Sequence, residues 1–175
     1  MRKAVFIDRD GVVVKTIKRE GFVIPTAPFS CSEMEFFENI SCALELLHAN
    51  DFLLILVTNQ PDIAYGYITQ GDWEKIHKEV QKLAFDDIFI CFHRKNDGCE
   101  CKKPKPGMLL TAQKKWNIDM TSSFMVGDTD NDTIAGSAAG CRTIIVDAPY
   151  NQSVSSDFRV LSLFEAAHLV ISENY

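Results

Sequence analysis

Ala4-Val5-Phe6-Ile7-Asp8-Arg9-Asp10-Gly11 is a short apolar run that ends in two aspartates one residue apart. A strand with that ending can present both carboxylates at its C-terminal edge. One aspartate can then attack phosphorus while the other handles protons, and a divalent cation can bridge carboxylate and phosphate. Taken alone, two acidic residues after a strand are more often a turn or a helix cap. The rest of the chain has to decide between these readings.

Beyond this stretch, apolar runs alternate with helical patterns. Val5-Phe6-Ile7 reads as a first strand. Ala43, Leu44, Leu46 and Leu47 fall at helical spacing within residues 40–49, and Asn50-Asp51 ends that helix. Phe52-Leu53-Leu54-Ile55-Leu56-Val57 is continuously apolar, as expected of a strand covered on both faces. Residues 69–83 read as a helix capped by Thr69, with Asp72 three residues on. Ile88-Phe89-Ile90 is a third strand. Pro106-Gly107 precedes a helix over residues 108–116. Phe124-Met125-Val126 is a fourth strand, and Asp130–Ala139 is a short helix closed by Gly140. Thr143-Ile144-Ile145-Val146 is a fifth strand, and Ser162 caps a last helix through Ile171. This alternation predicts an α/β fold: a three-layer, Rossmann-like parallel sheet with helices on both faces and sites at the carboxyl ends of strands. Neither a repeat nor a linker divides the chain, so a single domain over residues 1–175 is expected. Residues 14–39 form the longest irregular stretch, and long ordered loops are often functional.

The composition narrows the function classes. The 175 residues are 46% hydrophobic and 24% charged, ordinary values for a globular domain with a real core. A net charge of −6 counts against broad attraction to nucleic acid or an anionic membrane. Met1-Arg2-Lys3-Ala4-Val5-Phe6 passes straight into Asp8 without a signal-peptide apolar region, and no apolar stretch approaches the ~20 residues of a membrane span. The expectation is a soluble, cytoplasmic monomer.

Three further motifs end strands as Asp8 does. Thr58-Asn59-Gln60 follows the second strand, Lys102-Lys103-Pro104 lies shortly after the third, and Gly127-Asp128 follows the fourth, with Asp132 completing G-D-x-x-x-D. In a parallel sheet these ends converge on one edge. Asp8 can be an in-line nucleophile on a phosphoryl group. Asp10 can protonate the leaving oxygen and later deprotonate water. Asp128 adds a hard oxygen ligand for Mg²⁺, while Thr58 and Lys103 can stabilise phosphoryl charge. Each motif alone also reads as a turn, a solvated lysine or a capping loop; their order at four strand ends makes coincidence a poor account.

Through Asp8-Arg9-Asp10-Gly11, Thr58, Lys103 and Gly127-Asp128, the chain resembles the haloacid dehalogenase superfamily of phosphotransferases over roughly residues 3–148. The resemblance implies that Asp8 is the nucleophile through an aspartyl-phosphate and Asp10 the acid/base. It also implies magnesium held by Asp8, the Asp10 backbone carbonyl and Asp128, with Asp132 behind them or paired with Lys103.

Of six cysteines, Cys91, Cys99 and Cys101 cluster with His93 as C-x-H-x₅-C-x-C, a set sufficient for a closed, structural Cys₃His zinc site. Buried thiols beside a surface histidine are the bland alternative. Zinc would pin a loop that lacks its own core directly beside Lys102 and Lys103. Cys31, Cys42 and Cys141 read as free thiols. Followed by Lys102-Lys103-Pro104-Lys105-Pro106-Gly107-Met108, the zinc signature is similar to that of the heptose 1,7-bisphosphate phosphatase group, whose close relatives include histidinol-phosphate phosphatases. That resemblance implies removal of the C7 phosphate of a heptose bisphosphate on the way to surface polysaccharide. It places Arg19, Glu20, Gly21, Phe22, Asn59, Gln60 and Lys102 at substrate-contact positions. The chain departs from the group at Pro61-Asp62, Tyr65, Lys102 and Thr129. Only 49 residues separate Asp8 from Thr58 and 24 separate Lys103 from Asp128, so neither interval holds a large cap domain. Another small phosphomonoester, such as histidinol phosphate or another sugar phosphate, is the nearest alternative substrate. A non-catalytic, zinc-stabilised interaction module is the alternative of a different class, and it would have no need of all five motif residues.

Overall fold

A parallel strand needs cover on both faces, and β2 (Phe52–Asn59) shows why the sheet forms around it: every residue from Phe52 to Thr58 is buried. The structure is a computed structural model that describes residues 1–174; Tyr175, the last residue of the expected domain, lies outside them. Beside β2 lie β1 (Lys3–Ile7), β3 (Asp87–Cys91), β4 (Phe124–Gly127), β5 (Arg142–Val146) and β6 (Phe158–Val160). All pair in parallel, in the order β3-β2-β1-β4-β5-β6. The helices are α1 (Ile40–His48), α2 (Asp62–Tyr65), α3 (Gln70–Val80), α4 (Gly107–Trp116), α5 (Asp130–Ala139) and α6 (Leu163–Ser172).

The two-residue strand period sorts the core into two halves. Val5, Ile7, Leu54, Leu56 and Val126 face one side and pack with Ala43, Leu44 and Leu47 of α1 and Ala166 and Val170 of α6. Ala4, Phe6, Leu53, Ile55, Val57 and Met125 face the other and pack with Met108, Leu109 and Ala112 of α4 and Ala135 and Ala139 of α5. This is the expected three-layer arrangement. The strand order reverses between β1 and β4, which opens a crevice at their carboxyl ends.

Most expected elements appear within a few residues of their expected bounds. Thr69 caps α3 by accepting from the Asp72 N–H at 3.1 Å, Ser162 caps α6 by accepting from Glu165 at 3.2 Å, and Gly140 closes α5 at φ 89°. α3 stops at Val80 rather than Leu83, and β2 runs on to Asn59, so that Thr58 lies within a strand. Two elements are additions to the sequence reading, the four-residue α2 and the edge strand β6. Residues 14–39 are irregular but tied by the bridges Val14↔Phe36 and Ile17↔Thr26, with a single 3-10 turn at Cys31–Glu33.

Helix α5 crosses β4 and β5 at Gly136, where a Cβ would stand 2.6 Å from Met125 Cβ. Gly136→Ala is expected to destabilise the protein by about 1–3 kcal/mol through overpacking, read from the urea midpoint.

Candidate active site

Lys103 is the centre of the site. Its side chain is almost fully buried, and its ammonium donates to Asp8 Oδ1 at 2.8 Å, Asp132 Oδ1 at 2.5 Å and the Val57 carbonyl at 2.9 Å. An ammonium has three donors, and all three are used. Burial works against the charge, but Asp132 and Asp8 overcome it and hold the lysine pKa above its ordinary value. The Lys103 backbone is itself fixed: Asn59 Nδ2 donates to the Lys103 carbonyl at 3.0 Å, and the Lys103 N–H donates to Asn59 Oδ1 at 3.1 Å.

Asp8 leaves the end of β1 and faces this ammonium. Its Oδ1 also accepts from the Arg9 N–H at 2.7 Å, so Oδ2 is the oxygen without a protein donor. Burial pushes the Asp8 carboxyl up to about 7 against the pull of Lys103, and Asp132 and Asp10 add to the rise. Asp10 sits beside it, gripped by both arms of the Arg9 guanidinium at 3.0 and 2.9 Å and by Gln60 Nε2 at 2.7 Å. Arg9, 2% exposed, is the largest fully buried side chain. Gln60 also donates to Thr58 Oγ1 at 2.9 Å and accepts from Trp73 Nε1 at 3.3 Å, tying β2 and α3 to the second aspartate.

Across the crevice, Asp128 follows β4. Burial raises its pKa, helped by Asp132 and Asp8, while the Tyr150 hydroxyl donates to its Oδ2 at 2.5 Å. Asn151 Nδ2 holds the Asp128 carbonyl at 2.7 Å. Asp132 takes Thr129 Oγ1 at 2.7 Å and the Thr129 N–H at 3.0 Å on Oδ2, completing the capping box of α5. It is therefore spent on Lys103 and the cap. Gly11 lies against this wall at φ +85°, where a Cβ would fall 2.0 Å from Asp128 Oδ2, so only glycine fits.

Carboxylate oxygens of Asp8, Asp128 and Asp132 lie within 4.8 Å of one another. Hard oxygen donors suit Mg²⁺, and Asp8 Oδ2 and the Asp128 carboxylate lie outside the lysine's contacts, whereas Asp132 is taken by Lys103 and Thr129. A second set fits zinc. Cys91 Sγ lies 3.7 Å from Cys99 Sγ, 3.2 Å from Cys101 Sγ and 3.5 Å from His93 Nδ1, which is 3.3 Å from Cys101 Sγ. Those separations approach the edge of about 3.7 Å that a tetrahedron of ~2.3 Å metal–sulfur bonds requires. The loop docks on the start of α4 so closely that a Cβ on Gly107 would stand 2.1 Å from the Glu100 carbonyl oxygen.

A cavity of about 560 Å³ opens over these groups. Asp8, Asp10, Asn59, Lys102, Lys103, Asp128 and Phe22 line it. Thr58 and Gln60 stand behind the wall. Arg19, Glu20 and Gly21 are not among the lining residues; Arg19 is turned to Glu33, donating from Nη1 at 3.1 Å, to Thr26 Oγ1 at 2.9 Å, and lies 4.2 Å over the Phe29 ring. The basic wall comes instead from Arg94, Lys95, Lys102 and Lys105. Arg94 and Lys95 directly follow the zinc-pattern His93, a position that could have flagged them. Tyr150 was signalled only by its place in a loop at the carboxyl edge of β5.

A HAD-hydrolase-like family model matches residues 100–149. A D-glycero-beta-D-manno-heptose-1,7-bisphosphate 7-phosphatase of Pasteurella multocida is 36% identical, over 83% of this chain and 82% of that one. A D-glycero-alpha-D-manno-heptose-1,7-bisphosphate 7-phosphatase of Campylobacter jejuni is 37% identical, over 82% and 81%. The crystal structure of a D,D-heptose 1,7-bisphosphate phosphatase from B. bronchiseptica, complexed with magnesium and phosphate, superposes with a TM-score of 0.82 at 27% identity, over 98% of this chain and 99% of that one. Fold and relatives together define a haloacid dehalogenase-like phosphatase. The chain belongs to the family of the heptose-1,7-bisphosphate 7-phosphatases within that superfamily.

Removing the carboxylate that serves both lysine and cap should be costly. Asp132→Ala is expected to destabilise the fold by about 3 kcal/mol in urea unfolding, because it removes one of the buried ammonium's two carboxylate partners and the acceptor that closes the capping box of α5.

Proposed function

We propose that this chain hydrolyses the C7 phosphate of D-glycero-D-manno-heptose 1,7-bisphosphate, releasing a heptose 1-phosphate for nucleotide-heptose and surface-polysaccharide synthesis. The observation that carries the chemistry is the pairing of Asp8 with Lys103 opposite Asp128 at the crevice between β1 and β4. The relatives' substrate carries the sugar.

Asp8 attacks phosphorus through Oδ2, since Oδ1 is held by Lys103 and the Arg9 N–H. As the Asp8–phosphorus bond forms, the bond to the sugar oxygen breaks, and Asp10 gives that oxygen its proton. Water then attacks the aspartyl-phosphate, Asp10 takes its proton, and Asp8 is released with inorganic phosphate. Arg9 and Gln60 fix Asp10 for both transfers. Lys103 offsets charge on the phosphoryl oxygens as a buried cation, while Thr58, expected to share that role, stands behind the wall and accepts from Gln60. The Asp8 and Asp128 carboxylates and the Asp10 carbonyl would hold a magnesium ion, which would supply Lewis-acid stabilisation of that charge. Cys91, His93, Cys99 and Cys101 would hold a structural zinc, which would pin the loop. Arg94, Lys95 and Lys102, carried by that loop and the residues after it, line the cavity, where they suit the distal phosphate of a bisphosphate. Arg19, expected at the substrate, is held by Glu33, Thr26 and Phe29, and neither it nor Glu20 nor Gly21 lines the cavity. We further infer one domain working as a cytoplasmic monomer on a small soluble sugar phosphate; among the described residues, no helix is long and apolar enough to cross a membrane.

Two measurements test this reading. Asp8→Asn should abolish phosphate release from heptose 1,7-bisphosphate in magnesium while leaving the circular dichroism spectrum unchanged; residual turnover would remove Asp8 as nucleophile. Elemental analysis should find about one zinc per chain, and stripping it with a chelator should lower the melting temperature. Metal-free protein with full stability would refute the zinc site.

A further inference from the structure

Five carboxylates line the cavity, and four are partnered within the protein. Asp8 and Asp132 have Lys103, Asp10 has Arg9 and Gln60, and Asp128 has Tyr150. The fifth, Asp62, receives no hydrogen bond or ion pair among the described residues, though it is only partly exposed. It opens α2, where an aspartate commonly caps backbone N–H groups, yet its carboxylate takes none. Its surroundings are mixed. Burial and the Asp10 charge raise its pKa, while Arg9, Lys102 and Arg19 pull the other way. Asp62 thus stands at the carboxyl end of β2 between the acid/base carboxylate and the basic wall.

A free carboxylate in a phosphate site repels its own substrate unless the substrate brings a donor to it. Phosphate and carboxylate groups bring none; a sugar hydroxyl does. We infer that Asp62 is a specificity-determining residue, accepting a hydrogen bond from a hydroxyl on the carbon chain next to the phosphoester, so that the cavity selects polyol phosphates over alkyl phosphates. This deepens the phosphatase reading above and rests on it. In the proposed heptose substrate, the carbon next to the C7 phosphoester carries such a hydroxyl. Asp62 acts on which phosphoester is taken, apart from the bonds that Asp8 and Asp10 make and break.

A matched pair isolates that contribution: sn-glycerol 3-phosphate has hydroxyls where propyl phosphate has none. With magnesium present, kcat/KM on each is measured for the wild type, Asp62→Ala and Asp62→Asn. The ratio of glycerol phosphate to propyl phosphate is expected to fall roughly tenfold or more in Asp62→Ala, since it loses a charged hydrogen bond to substrate. Asp62→Asn keeps an acceptor oxygen and should give an intermediate ratio, which carries the test if the alanine variant fails to fold. A ratio unchanged in Asp62→Asn and Asp62→Ala, with both substrates falling together, overturns the role of Asp62 alone. Wild-type protein that releases phosphate from no phosphomonoester overturns the phosphatase reading, and this inference with it.

Discussion

The buried ion cluster around Lys103 is the constraint on which the site depends. Three carboxylates and one ammonium share a space from which water is largely removed, so when all are ionised the cluster carries two formal negative charges. Such an imbalance is expensive in a low-dielectric setting. Its strain is visible in Asp8, pushed up to about 7, and in the upward shift of Asp128. A divalent cation would answer that imbalance, and a phosphate dianion would then meet a site whose charge is less hostile. The neighbouring sequence is shaped to the same end. Gly11 lets the backbone pass Asp128, and Gly127 does the same for Asp132, where a Cβ would stand 2.1 Å from the Asp132 Cβ.

The lysine also links the two metal-suited sets. It follows the zinc-pattern loop by two residues, while its backbone is clamped by Asn59 and its ammonium reaches Asp8. Position is passed from the cysteine loop to the nucleophile through a few covalent bonds and a pair of amide hydrogen bonds. Asn59, expected to touch substrate, spends one donor and one acceptor of its side-chain amide on this clamp.

Where burial sets a strong period, the sequence was readable. β2 is continuously apolar, α1 repeats leucine at helical spacing, and Thr69, Ser162 and Gly140 mark helix ends by chemistry that acts locally. The strand-end motifs were legible because a parallel sheet brings them together whatever the loops do. β6 was missed because three residues, one of them the exposed Arg159, carry too little pattern. α2 is a single turn held by its surroundings, and propensity says little about it. The cavity wall was the hardest part. Arg19 looked like a substrate cation but is taken by Glu33 and Phe29, an outcome set by side chains that lie far apart in a local reading. Tyr150 and Arg94 come from loops whose direction only the tertiary fold decides.

The segment over residues 14–39, the longest irregular stretch in the sequence, is bound at several points. Its bridges tie Val14 to Phe36 and Ile17 to Thr26, and Arg19 grips Glu33. Phe22 and Phe29 lie 5.4 and 5.6 Å from the Tyr67 ring, which lies 5.8 Å from the ring of Tyr65, the last residue of α2. The entropy lost in ordering this segment is therefore charged to folding and not to substrate capture. A ligand arriving at the cavity meets a wall already in place, and its binding heat and rate should reflect docking onto a fixed surface, with little of the slow ordering that a true lid imposes.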